Sequence, residues 1–125
     1  AAIMRQAPKH PNCDPRLAII TAQSESSGYV NHVSENSAYA AGIWQFIRTT
    51  WEWMMPGVPM EGRNDLDLAA DAALKYLDIA GVCDATTEEE LVDAFARNAP
   101  VWNMHVPQAE FVWRTYVQLR ELMGE

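Results

Sequence analysis

The sequence from Glu25 to Trp51, ESSGYVNHVSENSAYAAGIWQFIRTTW, contains the pattern from which the rest of the chain can be interpreted. It opens with a carboxylate, continues through a polar loop rich in Ser, Asn, Gly and Ala, and leads into an aromatic-rich helix. Asp14 and Pro15 start the helix that precedes it, because Asp caps free N–H groups and Pro fits the first helical position. Gly28 is a natural stop for that helix. We therefore predict that Glu25 lies in its last turn.

Four further helices are predicted downstream of this loop. No segment alternates at the period of two that a half-buried strand requires. The second predicted helix runs from about Ile43 to Met55 and ends before Pro56, and the third runs from Asn64 or Asp65 to a stop at Gly81. The fourth covers roughly 88–98, from the Thr87–Glu90 capping box to a stop at Pro100, and the fifth runs from Pro107 to a stop at Gly124. We predict one all-α domain over residues 1–125, of about five or more helices, with 1–13 as an N-terminal extension and 14–123 as the helical core.

Charged and apolar residues separate onto different sides of the later helices. The third predicted helix carries a polar stripe, which we interpret as a solvated face rather than a metal site. Its members are Asp67, Asp71, Lys75 and Asp78. The buried stripe predicted for the fifth helix is Val112, Tyr116, Leu119 and Met123. Among the rings of the second helix, we expect Phe46 and Trp51 in the core.

The composition excludes several classes of function. The chain has 125 residues, of which 49% are hydrophobic, so one domain with a real core is expected. A net charge of -8 argues against binding to nucleic acid or to anionic lipid. No apolar run approaches the ~20 residues that span a bilayer. The segment Ala1–Pro11 lacks the apolar core of a signal peptide, so a signal was removed, the chain is a domain of a longer protein, or export takes another route.

The sequence gives no sign of a metal or cofactor site. Its three histidines, His10, His32 and His105, lack metal-ligand spacing, and no Gly-rich phosphate loop or G-x-S-x-G turn is present. Cys13 and Cys83 are too few for a disulfide scaffold. They are either two free buried thiols or, in an exported protein, a pair whose loop closure would stabilise the fold by roughly 4 kcal/mol.

Glu25 is the candidate for a general acid. A carboxylate at a helix end faces the negative end of the helix dipole, which disfavours its charged form, and burial beside Trp or Tyr acts in the same direction. A carboxylic acid with an amide and aromatic rings across a cleft is suited to cutting a glycosidic bond, because one acid must protonate the leaving oxygen. On position alone, a solvated surface charge is the alternative interpretation.

The motif Glu25-Ser26, a polar loop, and then the sequence AAGIWQF over residues 40–46 resembles the murein lytic transglycosylases. These enzymes of the lysozyme superfamily cut the glycan strands of peptidoglycan. The AAGIWQF motif most resembles that of the membrane-bound D-type members. The continuation over residues 49–51, TTW, is similar to that of resuscitation-promoting factors. A third family block, an alanine-rich helix that ends in Tyr-Leu, matches residues 68–77.

The fourth family block, Ala-Tyr-Asn-Ala-Gly, is altered in this chain. Residues 96–100 read ARNAP, so Arg97 replaces the tyrosine that in the family bonds to the catalytic acid. Phe95 has the size to fill that space but no hydroxyl. A guanidinium beside Glu25 would favour the charged carboxylate, so we expect Arg97 to point away from it.

The resemblance implies a lysozyme-like fold and a mechanism. Glu25 would protonate the oxygen between N-acetylmuramic acid and N-acetylglucosamine and then, as a base, take the proton of the muramic 6-hydroxyl, which closes a 1,6-anhydro ring. No cofactor is implied. The residues expected to bind or orient the sugars are Ser26, Tyr39, Trp44, Gln45 and Asn98. Because peptidoglycan lies outside the cytoplasm, where disulfides persist, the resemblance also implies that Cys13 pairs with Cys83.

Two alternatives to transglycosylation remain open. Glu35, in the loop, would be the second carboxylate of a hydrolase and would activate a water. A non-catalytic glycan-binding module is the other alternative, because the fourth block is altered. In each case we expect peptidoglycan as the partner, a monomeric domain, and a periplasmic, extracellular or virion-associated location. A secretion machine of the cell envelope or a phage tail is a candidate parent assembly.

Overall fold

The computed structural model describes residues 2–26, 44, 46, 48–97 and 106–125. Within these ranges the regular structure consists of six α-helices and three short 3₁₀ helices, with no β-strand. The α-helices are α1 (Ala2–Gln6), α2 (Pro15–Ser26), α3 (Arg48–Met54), α4 (Leu66–Ala80), α5 (Glu88–Arg97) and α6 (Val106–Leu122); the 3₁₀ helices are Ala7–Lys9, Met60–Asn64 and Val82–Asp84. The predicted all-α fold is confirmed. None of the described helices is long and apolar enough to cross a membrane.

Helix α4 lies at the centre of the described part of the domain. It packs against α1, α2, α3 and α5, and eight of its fifteen residues are buried. The Asp65 side chain caps its first turn by accepting a hydrogen bond from the N–H of Leu68 at 3.0 Å. Gly81 ends it with a φ of 89°, a left-handed conformation that glycine adopts without steric cost. Both predicted boundaries of this helix are confirmed.

The N-terminal residues, predicted as an extension, pack along α4. Ala2 and Ile3 are buried, each 7% exposed, and Arg5 forms two hydrogen bonds to the carboxylate of Asp67 at 2.9 and 3.0 Å. A helix of five residues is too short to show a periodic pattern, and for this reason the sequence did not reveal α1.

The polar stripe of α4 receives this N-terminal segment. The Nε2 atom of His10 lies 2.6 Å from Asp71, and the amide of Asn12 donates to Asp78 at 2.9 Å. Lys75 donates instead to the backbone carbonyl of Met54 at 3.2 Å. The prediction that this stripe is a solvated face therefore holds only in part: the four side chains are partly exposed, and the N-terminal segment covers part of the three aspartates. Helical spacing shows that charged residues share a side, but not which other segment covers them.

The aromatic segment becomes helical later than predicted. Trp44 lies in a turn and Phe46 lies outside any helix, and α3 begins only at Arg48. The carbonyl of Phe46 accepts a hydrogen bond from Arg63 at 3.0 Å, so a tertiary contact takes a backbone group that a helix would otherwise use. The rings of Phe46 and Trp51 are buried and lie 5.7 Å apart, which confirms their predicted place in the core.

Helices α2 and α6 pack against each other and run antiparallel. The hydroxyl of Tyr116 donates to Asp14 at 2.9 Å near the start of α2, and Gln108 meets Ser24 at 3.2 Å near its end. Val112 and Tyr116, which are 0% and 8% exposed, confirm half of the buried stripe predicted for this helix, and Leu119 is partly buried. Met123 is 60% exposed, so its predicted burial is wrong: it lies beyond the last residue of α6, where the helical spacing no longer applies.

A disulfide bond joins Cys13 to Cys83. Their Cα atoms lie 4.8 Å apart, within the range that a disulfide requires. The bond connects the residue before the cap of α2 to the 3₁₀ helix after α4. It therefore fixes the start of α2 against the end of the central helix.

Candidate active site

Glu25 is the next-to-last residue of α2, as the sequence predicts. Its side chain is partly buried. The carbonyls of the last helical turn point toward this end of α2, so the carboxylate sits at the negative end of the helix dipole. For Ser26, the last residue of α2, the structure describes the backbone alone.

The Glu25 carboxylate is in contact with the side-chain amide of Gln108, the third residue of α6. The Nε2 atom of Gln108 donates to Oε1 of Glu25 at 3.1 Å. The same nitrogen lies 3.2 Å from the backbone oxygen of Ser24 and 3.2 Å from its hydroxyl oxygen. Because a backbone carbonyl can only accept, the amino group of Gln108 must be the part that faces α2.

The hydroxyl of Ser24 extends this network into α2. It donates to the carbonyl of Thr21 at 2.9 Å, which leaves its oxygen lone pairs directed at the Gln108 amide. Thr21 is itself fully buried and donates to the carbonyl of Leu17 at 2.7 Å. Glu25 is thus held beside a chain of hydrogen bonds that runs back along the buried side of its own helix.

Trp44 lies behind this site rather than on its surface. Its ring is 3% exposed, and its indole N–H donates to the carbonyl of Ala18 in α2 at 2.8 Å. We predicted that Trp44 lines a cleft, but a ring so covered has almost no surface to offer a sugar. The structure instead gives it a supporting position, two helical turns before Glu25.

The other predicted site residues, Tyr39, Gln45 and Asn98, lie outside the described residues. The same holds for Glu35, the predicted second carboxylate. Gln108 was not predicted, and no local pattern marks it. Its role follows only from the antiparallel contact between α2 and α6, which joins residues 83 positions apart.

Arg97, in the altered family block, and Phe95, directly before it, lie in different environments. Phe95 is fully buried, whereas Arg97 is exposed. The guanidinium of Arg97 lies beside Gly81, 3.7 Å from the place that a Cβ would take there. Gly81 lies two residues before Cys83, whose disulfide partner Cys13 precedes the start of α2. Glu25 is ten residues beyond Pro15, the first residue of α2, which is about 15 Å along the helix axis. Arg97 therefore lies toward the opposite end of α2, as expected.

No three His, Cys, Asp or Glu side chains group as metal ligands within the described ranges. The chemistry that the described site can perform is proton transfer, because a carboxyl group held by an amide can still release and take up a proton. Such a carboxyl group can act as a general acid, and as a general base once it has lost its proton.

Comparison with known protein families identifies the domain. The model of the transglycosylase SLT domain matches residues 2–83, which is more than half of the 125-residue chain. The matched range begins at α1, includes Glu25 and ends at the disulfide cysteine after α4; α6, with Gln108, lies beyond it. No curated protein and no solved structure matches the chain significantly. With its all-α, lysozyme-like architecture, the chain belongs to the transglycosylase SLT domain family.

Proposed function

We propose that this domain is a peptidoglycan lytic transglycosylase in which Glu25 is the catalytic acid and base. Domains of the family act on peptidoglycan, outside the cytoplasm. The observation that supports the finer proposal is the position of Glu25: a partly buried carboxylate at the end of α2, inside the matched range, with one oxygen bonded to an amide. The bond cut is the β-1,4 linkage between N-acetylmuramic acid and N-acetylglucosamine.

The reaction needs one carboxyl group in two protonation states. Glu25 gives its proton to the glycosidic oxygen as the bond to the muramic C1 breaks, which leaves a carboxylate. That carboxylate then takes the proton of the muramic 6-hydroxyl as its oxygen bonds to C1 and forms the 1,6-anhydro ring. The carboxyl group ends protonated, ready for the next cycle. The nucleophile belongs to the substrate, so this route requires no second carboxylate and no cofactor.

Substrate contacts are proposed for residues around Glu25. Ser26 follows Glu25 at the end of α2. Tyr39, Gln45 and Asn98 would contact the sugars. We assign Trp44 a supporting role instead, because its ring is buried against α2. The domain would work as a monomer in the periplasm, outside the cell or on a virion, with a secretion machine or a phage tail as the parent assembly.

The products of purified sacculi test the proposed reaction. We expect muropeptides with anhydro ends, one water lighter than hydrolysis products, when they are measured by mass spectrometry. Exclusively reducing ends would overturn transglycosylation in favour of a hydrolase, and Glu35→Gln would then be the variant to examine for a water-activating carboxylate. Bound glycan with no product of either kind would indicate a non-catalytic module.

The variant Glu25→Gln tests the residue assignment. The amide has nearly the same shape but cannot give or take the proton, so we expect the rate of sacculus clearing to fall by about 10²–10⁴-fold with the fold retained. Glu89→Gln, at an exposed glutamate of α5, makes the same chemical change away from the site and should clear at the wild-type rate. Clearing by Glu25→Gln within a few fold of wild type, far below that range, would show that Glu25 is not the acid.

A further inference from the structure

We propose that Gln108 is a positioning residue for the catalytic step, which fixes the orientation of the Glu25 carboxyl group through a hydrogen bond to its Oε1 atom. This inference rests on the proposed role of Glu25. It concerns a residue of α6, which lies beyond the range that the family model matches.

The first step of the argument is that Gln108 is held in place independently of Glu25. Its amino group lies 3.2 Å from two oxygens of Ser24, the backbone oxygen and the hydroxyl oxygen. Because the group has two hydrogens for these and for Glu25, one N–H is shared between two acceptors. The Ser24 hydroxyl is oriented in turn by its own bond to Thr21 at 2.9 Å. The donor is therefore already aimed before it meets the Glu25 carboxyl group at 3.1 Å, so little ordering is needed during the reaction.

The second step concerns the orientation of the Glu25 carboxyl group. Its Oε1 atom accepts an N–H from Gln108 at 3.1 Å. This bond restricts rotation of the carboxyl group, so its plane is fixed from the side of α6. The same orientation then serves both transfers, the proton given to the glycosidic oxygen and the proton taken from the 6-hydroxyl.

The third step is the effect on charge. A donor to a carboxylate stabilises its charged form more than its neutral form. Gln108 therefore supports Glu25 in the second half of the reaction, when the carboxylate must act as a base. At the same time it lowers the pH at which the free enzyme loses its acid, so it shapes the alkaline side of the pH profile.

The test compares Gln108→Leu with wild type on solubilised glycan strands. Loss of a hydrogen bond to a charged group should lower kcat by about tenfold to hundredfold, with KM largely unchanged. The alkaline limb of the kcat/KM profile should move to higher pH. Gln118→Leu, the same change at an exposed glutamine of α6, is the matched control and should leave both quantities as in wild type.

A second variant covers the case in which Gln108→Leu disturbs the packing of α6 on α2. Gln108→Glu keeps the shape of the side chain but places a second carboxyl group beside Glu25 and the Ser24 carbonyl. A like charge at that distance disfavours ionisation of Glu25, so the alkaline limb should move further than in Gln108→Leu. Thermal unfolding of each variant establishes that the fold is retained.

Each outcome decides the proposal. Wild-type kcat and pH profile in both variants would overturn it, and so would a lower kcat with an unmoved alkaline limb, because a purely structural role predicts only the loss of rate. Failure of the proposed function looks different: Glu25→Gln would then be as active as wild type. If Glu25 is the acid and Gln108 acts through it, Gln108→Leu should add no further loss in the Glu25→Gln background.

Discussion

Trp44 has a physical role that its position in the aromatic segment does not suggest. Its indole N–H donates to the carbonyl of Ala18, and its ring is almost completely covered. Buried tryptophans usually find a partner for this N–H, because an unpaired donor in the interior is costly. The ring therefore fixes the turn at Trp44 against the first half of α2, two helical turns before Glu25.

The stability of Trp44→Phe tests this role. The variant loses the hydrogen bond to Ala18 and part of the ring volume, so we expect the free energy of unfolding to fall by about 1–3 kcal/mol in urea denaturation. Trp53→Phe is the matched control, since Trp53 is 55% exposed, and it should change that energy by only about 0.5 kcal/mol. Equal effects of the two substitutions would contradict the supporting role.

At this scale the sequence predicted the position of Glu25 but not its contact with Gln108. Helix stops are local signals, and Asp14, Pro15 and the polar loop were sufficient to place Glu25 in a last turn. Its contact with Gln108 depends on the register of two helices far apart in the sequence, which no local pattern encodes. Trp44 was misplaced for another reason: a tryptophan fits a sugar cleft and a core equally well by type, and only the fold distinguishes them.

The antiparallel pair of α2 and α6 carries a charge cluster at the end opposite to Glu25. Burial opposes the ionisation of Asp14, but hydrogen bonds from the side chain and backbone of Arg16 and from Tyr116 outweigh it and hold the pKa of this carboxyl group below its ordinary value. Arg16 also bonds to Glu125 at 2.6 Å. The start of α2 is thus joined to both the middle of α6 and the residues that follow it.

The lowered pKa of Asp14 makes the stability of the fold depend on pH, and the direction of this dependence can be derived. A carboxyl group whose folded pKa is lowered stabilises the fold above its unfolded pKa, near its ordinary value of 3.8, and this contribution is lost as the pH falls through the lower folded value. Asp14→Asn keeps a good cap for α2 but cannot titrate. We therefore expect a smaller loss of stability between about pH 7 and pH 3 than in wild type, measured by urea unfolding at each pH.

The control for this measurement is Asp93→Asn, at an exposed aspartate of α5. It should lose as much stability on acidification as wild type. Asp67 and Glu125, whose pKa values are also lowered, mainly by hydrogen bonds from Arg5 and Arg16 respectively, remain in both variants. The difference between the two variants therefore belongs to Asp14, and an unchanged acid loss in Asp14→Asn would contradict its assigned role.

Among the elements, those with strong local end signals were predicted well. Asp65 and Gly81 bound α4 as expected, and Thr87 accepts the N–H of Glu90 at 3.2 Å at the start of α5, although Glu90 itself reaches back to the N–H of Thr86. The start of α3 was predicted too early. Aromatic and β-branched residues have weak helix propensity, so tertiary bonds can hold such a segment out of a helix.

The whole chain is cross-linked by the Cys13–Cys83 bond, whose cysteines are 70 positions apart. The bond restricts the unfolded chain, and on the chain-entropy model it stabilises the fold by roughly 4 kcal/mol. We expect the double variant Cys13→Ala, Cys83→Ala to unfold at a correspondingly lower urea concentration. Reduced wild type should unfold like the variant, and the reductant should leave the variant unchanged. A variant as stable as oxidised wild type would show that the bond does not stabilise the fold.

For the whole molecule, length and composition predicted one domain, periodicity predicted that it is helical, and the order of motifs indicated its family. The cysteines left two alternatives open, because pairing depends on a distance in the fold and on the compartment in which the chain folds. Residues 1–13 were interpreted as an extension because their contacts, like the cysteine pairing, depend on which residues the fold brings together. The donors of this segment, Arg5, His10 and Asn12, are scattered polar residues until α4 places aspartates at matching positions along one side.

Because α4 lies at the centre of the described domain, the hydrogen exchange of its amide protons measures how often the domain opens. Its backbone groups are surrounded by four other helices, so deuterium can reach them only when those helices separate. Exchange at the middle of α4 therefore reports the slowest opening of the described part of the molecule. The last turn of α2 and the first turn of α6 lie nearer the surface and can open locally without the opening that exposes α4. The ratio of the two exchange rates expresses how often the Glu25–Gln108 contact region opens while the rest of the described domain stays folded.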